Sequence, residues 1–209
     1  MQTVFVNPER CIGCLQCEYA CAVEHSVSRD PILALFQQPP PRSRIHVEAG
    51  PSAGTAFPNR CRHCDPAPCL VVCPTNAIRR DAARDLVLLD ESKCIACAMC
   101  AIVCPFDVIT YHPLANGAAG RTVAVKCDGC VERLEEGREP ACAEVCMVDA
   151  LVFGDLNQLV AAGRVRETNA VLTAASAARP LPPAEPVTVA GWRSMGAEAE
   201  LVGHAGGAR

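Results

Sequence analysis

The sequence predicts an α+β protein built from two cysteine-rich modules with little regular secondary structure, long insertions and an extended C-terminal tail. Three observations lead to this prediction. All 16 cysteines of the 209-residue chain fall into four motifs spread between Cys11 and Cys146. Aromatic residues make up only 4% of the chain, so a conventional apolar core would be small. The 17 prolines and 14 glycines interrupt most of the apolar periodicity.

The third motif indicates the chemistry. Its sequence, Cys94-Ile-Ala-Cys97-Ala-Met-Cys100-Ala-Ile-Val-Cys104-Pro105, is the C-x2-C-x2-C-x3-C-P run of bacterial iron-sulfur proteins, without a departure. In such a run three thiolates ligate one cluster, and the fourth ligates a different cluster. The motif therefore predicts a partner motif.

Three further motifs repeat this spacing, motif one without a change and motifs two and four with changes before the third cysteine. Motif two has two extra residues there, motif four has a long insertion, and three residues always separate the third cysteine from the fourth. Motif one contains Cys11, Cys14, Cys17 and Cys21, motif two Cys61, Cys64, Cys69 and Cys73, and motif four Cys127, Cys130, Cys142 and Cys146.

Two other uses of cysteine fit these spacings less well. Zinc sites usually close with two separated pairs of ligands, so a zinc-binding interaction module is only a remote alternative. Disulfide frameworks belong to small secreted domains, and the ten residues before Cys11 leave no room for a signal peptide. Because no cysteine is missing from any motif, we expect His25 and His63 to be donors near a cluster or surface residues, not ligands.

Short strands should flank the motifs, and each strand, cluster loop, helical turn and return strand should form half of a module. Strands are expected at 4–6 and 86–90, with return strands near residue 78, at 108–111 and at 151–153.

The segments outside the motifs are insertions and an extension. Residues 35–59 form a proline- and glycine-rich insertion, in which the alternation at 44–48 predicts an edge strand. A second insertion, at 113–121, should be a surface loop. Beyond a helix at 155–162 the chain is too rich in alanine and proline to build a core. We expect residues 154–209 to be an extension that wraps a partner subunit, with Trp192 and Met195 as anchors.

Charge and composition exclude several functions. The formal net charge is −4, and four oxidised clusters, each adding about −2 with its thiolates, would bring it to about −12, so nucleic acid is a poor partner. No apolar stretch reaches the roughly 20 residues of a membrane span, and we expect a cytoplasmic protein with no direct membrane span. Phosphate-binding loops, dinucleotide fingerprints and hydrolytic triads are absent from the sequence. Chemistry on a substrate is therefore expected in another subunit.

The motifs resemble those of the four-cluster dicluster-ferredoxin electron-transfer subunits. These subunits accompany formate hydrogenlyase, carbon monoxide dehydrogenase, dimethyl sulfoxide reductase-like enzymes and tungsten aldehyde oxidoreductases. The resemblance covers about residues 4–153. It rests on motif three and on Cys11-Ile-Gly-Cys-Leu-Gln-Cys17, Cys61-Arg-His-Cys64 and Lys126-Cys127-Asp-Gly-Cys130.

The resemblance implies two bacterial-ferredoxin-like modules within residues 1–153, one from motifs one and four and the other from motifs two and three. It implies four [4Fe-4S] clusters. Set one would be Cys11, Cys14, Cys17 and Cys146, set two Cys127, Cys130, Cys142 and Cys21, set three Cys61, Cys64, Cys69 and Cys104, and set four Cys94, Cys97, Cys100 and Cys73. Ala22 and Met147 replace the proline that follows motifs two and three, which should weaken rigidity but not ligation.

The resemblance also implies a function. The chain would be a non-catalytic subunit that relays electrons between a catalytic oxidoreductase subunit, with a tungsten or molybdenum pterin or nickel, and an acceptor or donor such as a flavin subunit. A free, diffusible polyferredoxin is the alternative. We expect the backbone amides of Gly13, Ala96 and Gly129 to tune the cluster potentials. Because the clusters must do much of the work of a core, the metal-free chain should not fold.

Overall fold

The computed structural model describes residues 2–52, 54–114 and 121–177. Within them, short strands form four separate antiparallel pairs with helices between them, which confirms the predicted α+β class with little regular structure. The strands are β1 Gln2–Val6, β2 Ile45–Ala49, β3 Ala56–Arg60, β4 Ile78–Asp81, β5 Leu86–Leu89, β6 Thr110–Pro113, β7 Thr122–Val125 and β8 Leu151–Asp155. The helices are α1 Gln16–Glu24, α2 Pro31–Phe36, α3 Pro68–Val71, α4 Met99–Ile102, α5 Val131–Glu135, α6 Ala141–Glu144 and α7 Leu156–Ala177.

The pairing of β1 with β8 brings motif one to motif four. β1 leads into motif one and β8 follows motif four, so their antiparallel register, with Val4 opposite Phe153, joins the two ends of the cysteine-rich region. The main-chain N–H of Asn7 extends the contact by donating to the carbonyl oxygen of Ala150 over 2.8 Å. Helices α1 and α6 pack together beside these strands.

The pairing of β4 with β5 does the same for motifs two and three. β4 follows motif two, and β5 precedes motif three. Here the main-chain N–H of Asp90 donates to the carbonyl oxygen of Ala77 over 2.8 Å, which repeats the bond of Asn7 to Ala150. A 3-10 turn leads into motif one at Pro8–Arg10, and another leads into motif three at Glu91–Lys93. The strands predicted at 4–6, 78, 86–90 and 151–153 are confirmed.

The strand predicted at 108–111 begins later, at Thr110. Val108 and Ile109 are buried in the loop after motif three, so their apolar character reflects core packing and not strand pairing. β6 pairs with β7, which leads into motif four. The loop predicted at 113–121 lies mostly outside the described residues.

The first insertion contains a β-hairpin, and a short helix leads into it. The predicted strand at 44–48 is confirmed as β2, but its partner β3 was not predicted because it contains Pro58, which is unfavourable in strands. Helix α2 begins after Asp30, whose carboxylate accepts hydrogen bonds from the N–H groups of Ile32 and Leu33 at 2.9 Å.

The helix predicted at 155–162 begins at Leu156 and continues to Ala177. The Asp155 carboxylate accepts from the main-chain N–H groups of Asn157 and Gln158, which satisfies donors of the first turn. A first compact unit comprises Met1–Ala161 and contains every cysteine, and Ala162–Arg209 forms a second. Trp192 and Met195 lie outside the described residues. None of the described helices has the length and apolar character needed to cross a membrane.

Cysteines form much of the core. One group of buried residues combines Cys94 and Cys100 with Val87 and Val123. Two others contain the cysteines Cys17, Cys21 and Cys142, and Cys61 and Cys127. The small number of large apolar side chains is therefore compensated by thiols in the interior.

Candidate metal centres

The same loop geometry recurs after the first cysteine of each motif. The residue two positions later has a left-handed backbone, and it is Gly13, His63, Ala96 and Gly129 in motifs one to four, with φ between 50° and 72°. The N–H of His63, of Ala96 and of Gly129 each donates to the sulfur of the first cysteine in its own motif over 3.4 Å. At Ala96 and Gly129, two of the three amides expected to tune a cluster, the expected contact to sulfur is therefore present.

A second repeated turn follows the last cysteine. Asn76, Asp107 and Asp149, each three residues after the last cysteine of motifs two, three and four, have left-handed backbones, and each donates its N–H to the carbonyl oxygen of that cysteine. Motif one lacks this turn, because α1 continues past Cys21 through Ala22 to Glu24. The missing proline after Cys21 thus lengthens a helix, whereas Met147 leaves the turn intact.

Three cavities are each lined by one of the cysteine sets that the resemblance implies. Each contains three cysteines of one motif together with the last cysteine of the paired motif. The first cavity is lined by Cys11, Cys14, Cys17 and Cys146, the second by Cys61, Cys64, Cys69 and Cys104, and the third by Cys73, Cys94, Cys97 and Cys100.

The four cysteines of set two are all buried. They are Cys21, Cys127, Cys130 and Cys142. Burial raises the pKa of the Cys142 thiol to about 12, and the nearby thiols of Cys127 and Cys21 act in the same direction. The pKa of Cys130 is raised by burial and by Cys127. Cys21 and Cys142 also lie in one buried core group, although they come from motifs one and four.

Other donors reach the sulfurs. The main-chain N–H of Arg44 donates to Cys21, that of Ala124 to Cys94 and that of Leu151 to Cys146, over 3.2, 3.3 and 3.4 Å. The hydroxyl of Tyr111 lies 3.3 Å from the sulfur of Cys100. With the bond from His63 to Cys61, every set has at least one sulfur within hydrogen-bond distance of a donor, which favours the thiolate over the thiol.

Two cations are buried between sets two and three. Arg60 and Lys126 are each 3% exposed. Arg60 donates to the carbonyl oxygen of Val4 over 2.8 Å and places Nη2 4.0 Å from the sulfur of Cys127. Lys126 donates to the carbonyl oxygens of Val87 and Cys127. Neither forms an ion pair with a carboxylate in the described part of the chain.

Buried charges are costly unless an opposite charge compensates them. The anionic groups near Arg60 and Lys126 are cysteine sulfurs. Burial raises the pKa of Cys61, and the charge of Lys126 opposes this by lowering it. Burial also raises the pKa of Cys127, but the charge of Arg60 and the effect of His63 outweigh burial and lower this pKa to about 5. The two cations therefore offset part of the cost of burying negative charge on the sulfurs of Cys61 and Cys127, and this set of donors fits anionic iron-sulfur clusters.

The positions of these two cations follow a pattern in the sequence. A basic residue immediately precedes the first cysteine of each motif: Arg10, Arg60, Lys93 and Lys126. The side chains of Arg10 and Lys93 are 44% and 59% exposed, whereas those of Arg60 and Lys126 are buried. The sequence shows the repeated cation, but only the tertiary structure separates the buried pair from the exposed pair.

The two histidines considered as donors both lie beside predicted ligands. His25 places Nδ1 3.6 Å from the sulfur of Cys21 and Nε2 3.2 Å from the carboxylate of Asp128, which also pairs with Arg44 at 2.8 Å. His63 is 5% exposed, so its interpretation as a surface residue is wrong. The carboxylate of Asp128 also accepts from the N–H of Cys130, which ties this network to set two.

Comparison with known proteins identifies the family to which the chain belongs. A family model described as "4Fe-4S dicluster domain" matches residues 53–156. An "Iron-sulfur protein" of Rhodospirillum rubrum is 41% identical over 160 residues, which cover 74% of this chain and 82% of the relative. The "Thiosulfate reductase electron transfer subunit PhsB" of Salmonella typhi is 38% identical over 165 residues, 75% of this chain and 78% of the relative.

The "Electron transport protein HydN" of Escherichia coli (strain K12) is 37% identical over 165 residues, which cover 75% of this chain and 89% of the relative. The resemblance that the cysteine motifs predicted is thereby confirmed. This chain belongs to the 4Fe-4S dicluster family of iron-sulfur electron-transfer proteins.

Proposed function

We propose that this chain is a non-catalytic subunit of an oxidoreductase complex and relays electrons through four [4Fe-4S] clusters held by sets one to four. The observation that carries the proposal is that three cavities are each lined by four cysteines, and that the remaining four cysteines, those of set two, are all buried. A bound [4Fe-4S] cluster accepts and releases one electron, and the chain supplies its thiolates, hydrogen-bond donors and compensating charge.

The arrangement of the sets supports a linear relay. Sets one and two exchange a cysteine between motifs one and four, and sets three and four exchange one between motifs two and three. Sets two and three meet where the buried residues Cys61 and Cys127 join one core group with Val108. The order along the relay would therefore be one, two, three and four.

The ends of this relay lie at the surface. Cys14 of set one and Cys97 of set four are the two exposed cysteines, whereas all of set two is buried. Exposed apolar side chains, including Ile12 beside Cys14 and Ile95 beside Cys97, flank these ends. Exposed apolar surface of this kind favours contact with other proteins. We therefore place one redox partner at each end.

One partner would be the catalytic subunit, with a tungsten or molybdenum pterin or nickel, and the other an acceptor or donor such as a flavin subunit. The names of the relatives support this assignment, since PhsB is called an electron transfer subunit of a thiosulfate reductase. The proposal includes the two modules within residues 1–153 and the C-terminal extension at 154–209 as a segment that contacts a partner.

Anaerobic purification of the protein from its source tests this function. We expect a larger subunit to co-purify with tungsten, molybdenum or nickel and to reduce the clusters of this chain when its substrate is added. A brown protein that purifies alone and exchanges electrons equally with unrelated enzymes would instead be a diffusible polyferredoxin. Zinc in place of iron would contradict both interpretations.

A further inference from the structure

Another cavity lies apart from the three that are lined by cysteines. Its volume is about 670 Å³, and it lies between the strand pair of β1 and β8, the turn that joins β4 to β5, and the insertion of motif four. None of the described residues that line it is a cysteine, but three are arginines: Arg60, Arg84 and Arg138. A single water takes up about 30 Å³ of liquid, so this arginine cavity has room for a larger molecule.

Two buried donors at the arginine cavity have no acceptor. Arg60 is 3% exposed and His63 is 5% exposed, and both residues line the cavity. The Nε atom of Arg60 and the Nε2 atom of His63 have no hydrogen-bond partner within the described residues. In the same part of the chain, one other buried side-chain atom, in His46, shares this property. Unpaired buried donors are costly, so two of them at one cavity indicate a bound acceptor.

The hydrogen bonds of the two side chains show that both of these atoms carry a proton. The Nδ1 atom of His63 accepts from the main-chain N–H of Val87 at 3.0 Å, so the proton of the ring is on Nε2. In Arg60, Nη1 donates to the carbonyl oxygen of Val4 over 2.8 Å, and Nη2 lies 4.0 Å from the sulfur of Cys127. The Nε–H of the guanidinium is therefore the part of the fork that remains for a ligand.

The charged residues that line the arginine cavity carry a net positive charge. They are the three arginines and two acids, Asp85 and Glu139, and Asp85 is paired with Arg80, which is outside the lining. The side chains of Arg84 and Arg138 are 34% and 50% exposed and form ion pairs with neighbouring carboxylates at 3.4 to 3.9 Å. Because exposed pairs of this kind contribute little energy, both arginines are available to a ligand, and the cavity favours an anion.

We propose that the arginine cavity binds a small tetrahedral oxyanion of the sulfate and phosphate class. Its oxygens accept hydrogen bonds from the Nε–H of Arg60 and the Nε2–H of His63, and the partly exposed Arg84 and Arg138 stabilise its charge. Hydrogen bonds from arginine to anionic oxygens are among the strong ones in proteins. The inference does not depend on the proposed relay, because the residues described as lining the cavity include no cysteine of sets one to four.

The origin of the donors favours a tetrahedral anion over a carboxylate. Arg60 ends β3, His63 lies in the loop of motif two, Arg84 is in the turn between β4 and β5, and Arg138 is in the insertion of motif four. Donors from four segments approach a ligand from different sides. A tetrahedral oxyanion has oxygens on all sides, whereas a carboxylate has two oxygens in one plane.

Isothermal titration calorimetry of the iron-replete, full-length protein with sulfate tests this site. The titration is anaerobic and at constant ionic strength, with chloride as the balancing ion. We expect saturable binding of sulfate and weaker binding of acetate. Absence of saturable sulfate binding would overturn the proposal, and so would acetate that binds as tightly as sulfate.

Arg138→Glu reverses a charge at the exposed side of the cavity and leaves every cysteine in place. We expect it to weaken sulfate binding about tenfold, because the anion loses an attractive charge and meets a repulsive one. Arg79→Glu is the matched control, since Arg79 is exposed on β4 and does not line the cavity. It should leave the affinity unchanged. Equal weakening by the two variants would show an effect of net charge alone and would overturn the proposal.

His63→Asn tests the buried donors. Asparagine tolerates the left-handed backbone at this position, where φ is 50°, and its side-chain oxygen can accept from Val87, but it has no donor in place of Nε2. We expect unchanged iron content and sulfate binding that is about tenfold weaker, because a hydrogen bond to a charged group is lost. Unchanged affinity in an iron-replete variant would mean that the buried donors do not hold the anion, and would overturn the proposal.

A measurement on the native protein locates the anion without any variant. Crystals of the full-length, iron-replete protein are soaked in selenate, and the selenium is located by its anomalous scattering. We expect selenium in the arginine cavity, with selenate oxygens at hydrogen-bond distance from Nε of Arg60 and Nε2 of His63. Selenium found only at other positions would identify an adventitious ion only and would overturn the proposal.

Discussion

The side-chain Nδ2 of Asn7 donates a hydrogen bond to the main-chain oxygen of Asp149 over 2.9 Å, and so joins the residues before motif one to the turn after motif four. Asn7 is buried, and its main chain also bonds to Ala150. The two motifs that would exchange a cluster ligand are thus held together by backbone and side chain at the same point.

We expect Asn7→Ala to weaken this junction by about 1 kcal/mol, the net value of one hydrogen bond in a protein. The loss should appear as faster release of iron from the sites of sets one and two during mild heating. The release is measured as the decrease in the visible absorbance of the clusters. Asn157→Ala, on the exposed surface of α7, is the control and should have no effect. Equal rates in the two variants would contradict a role for Asn7 in joining motif one to motif four.

Position 129 requires glycine for two reasons. Its φ is 72°, and a Cβ atom there would lie 2.8 Å from Cδ2 of Leu86. Gly129→Ala should therefore destabilise the protein by more than the roughly 1–2 kcal/mol of a left-handed backbone alone. Gly137→Ala is a matched control, because Gly137 has φ of 74° and no atom within 4 Å of the added Cβ. Thermal unfolding of both variants measures the difference, and equal losses would show that the contact with Leu86 does not matter.

Arg60→Met should lower the potential of the site at set two. The reduced state carries one more negative charge, and removal of a buried cation near Cys127 makes that state less favourable. A shift on the order of 60 mV corresponds to a tenfold change in a one-electron equilibrium. Arg10→Met removes the cation at the same motif position, where it is exposed, and should have a smaller effect. Similar shifts for both would show that burial of Arg60 is not what matters.

The pair of His25 and Asp128 predicts a pH dependence. Burial lowers the pKa of His25, but the hydrogen bond and charge of Asp128 outweigh this and raise it to about 10 from its usual 6.5. Since the folded-state pKa is the higher one, the stabilisation is present in full below pH 6.5 and is lost as the pH rises through about 10. Unfolding temperatures measured from pH 6 to pH 10.5 should fall less steeply in His25→Gln. An unchanged slope would contradict the pairing.

Much of the fold could be predicted because the cysteines constrain it. The spacing of motif three indicates both the cofactor and the exchange of a ligand, and the strands around residues 4–6 and 86–90 follow from short apolar runs next to turn residues. β3 could not be predicted in this way, because the cost of Pro58 in a strand is offset only by a local partner, β2. The assignment of cysteines to sets one to four came from the family resemblance and not from the spacing.

The environment of the sites was less accessible to sequence reasoning. The sequence around His63 does not indicate whether the side chain faces solvent or Val87. Its burial depends on the contact between motif two and β5. Similarly, Arg10 and Arg60 occupy equivalent motif positions, but of the two only Arg60 is buried, where it lies against Val4 and Cys127. Such differences arise from packing between distant segments, which a single sequence does not encode locally.

The number of iron atoms per chain tests the central claim most directly. Iron and acid-labile sulfide are quantified in anaerobically purified full-length protein, with protein concentration determined by amino-acid analysis. Four filled sets predict about 16 iron atoms and about 16 sulfides per chain. About eight of each would mean that only one pair of sets holds clusters, and would contradict the account of a four-cluster relay.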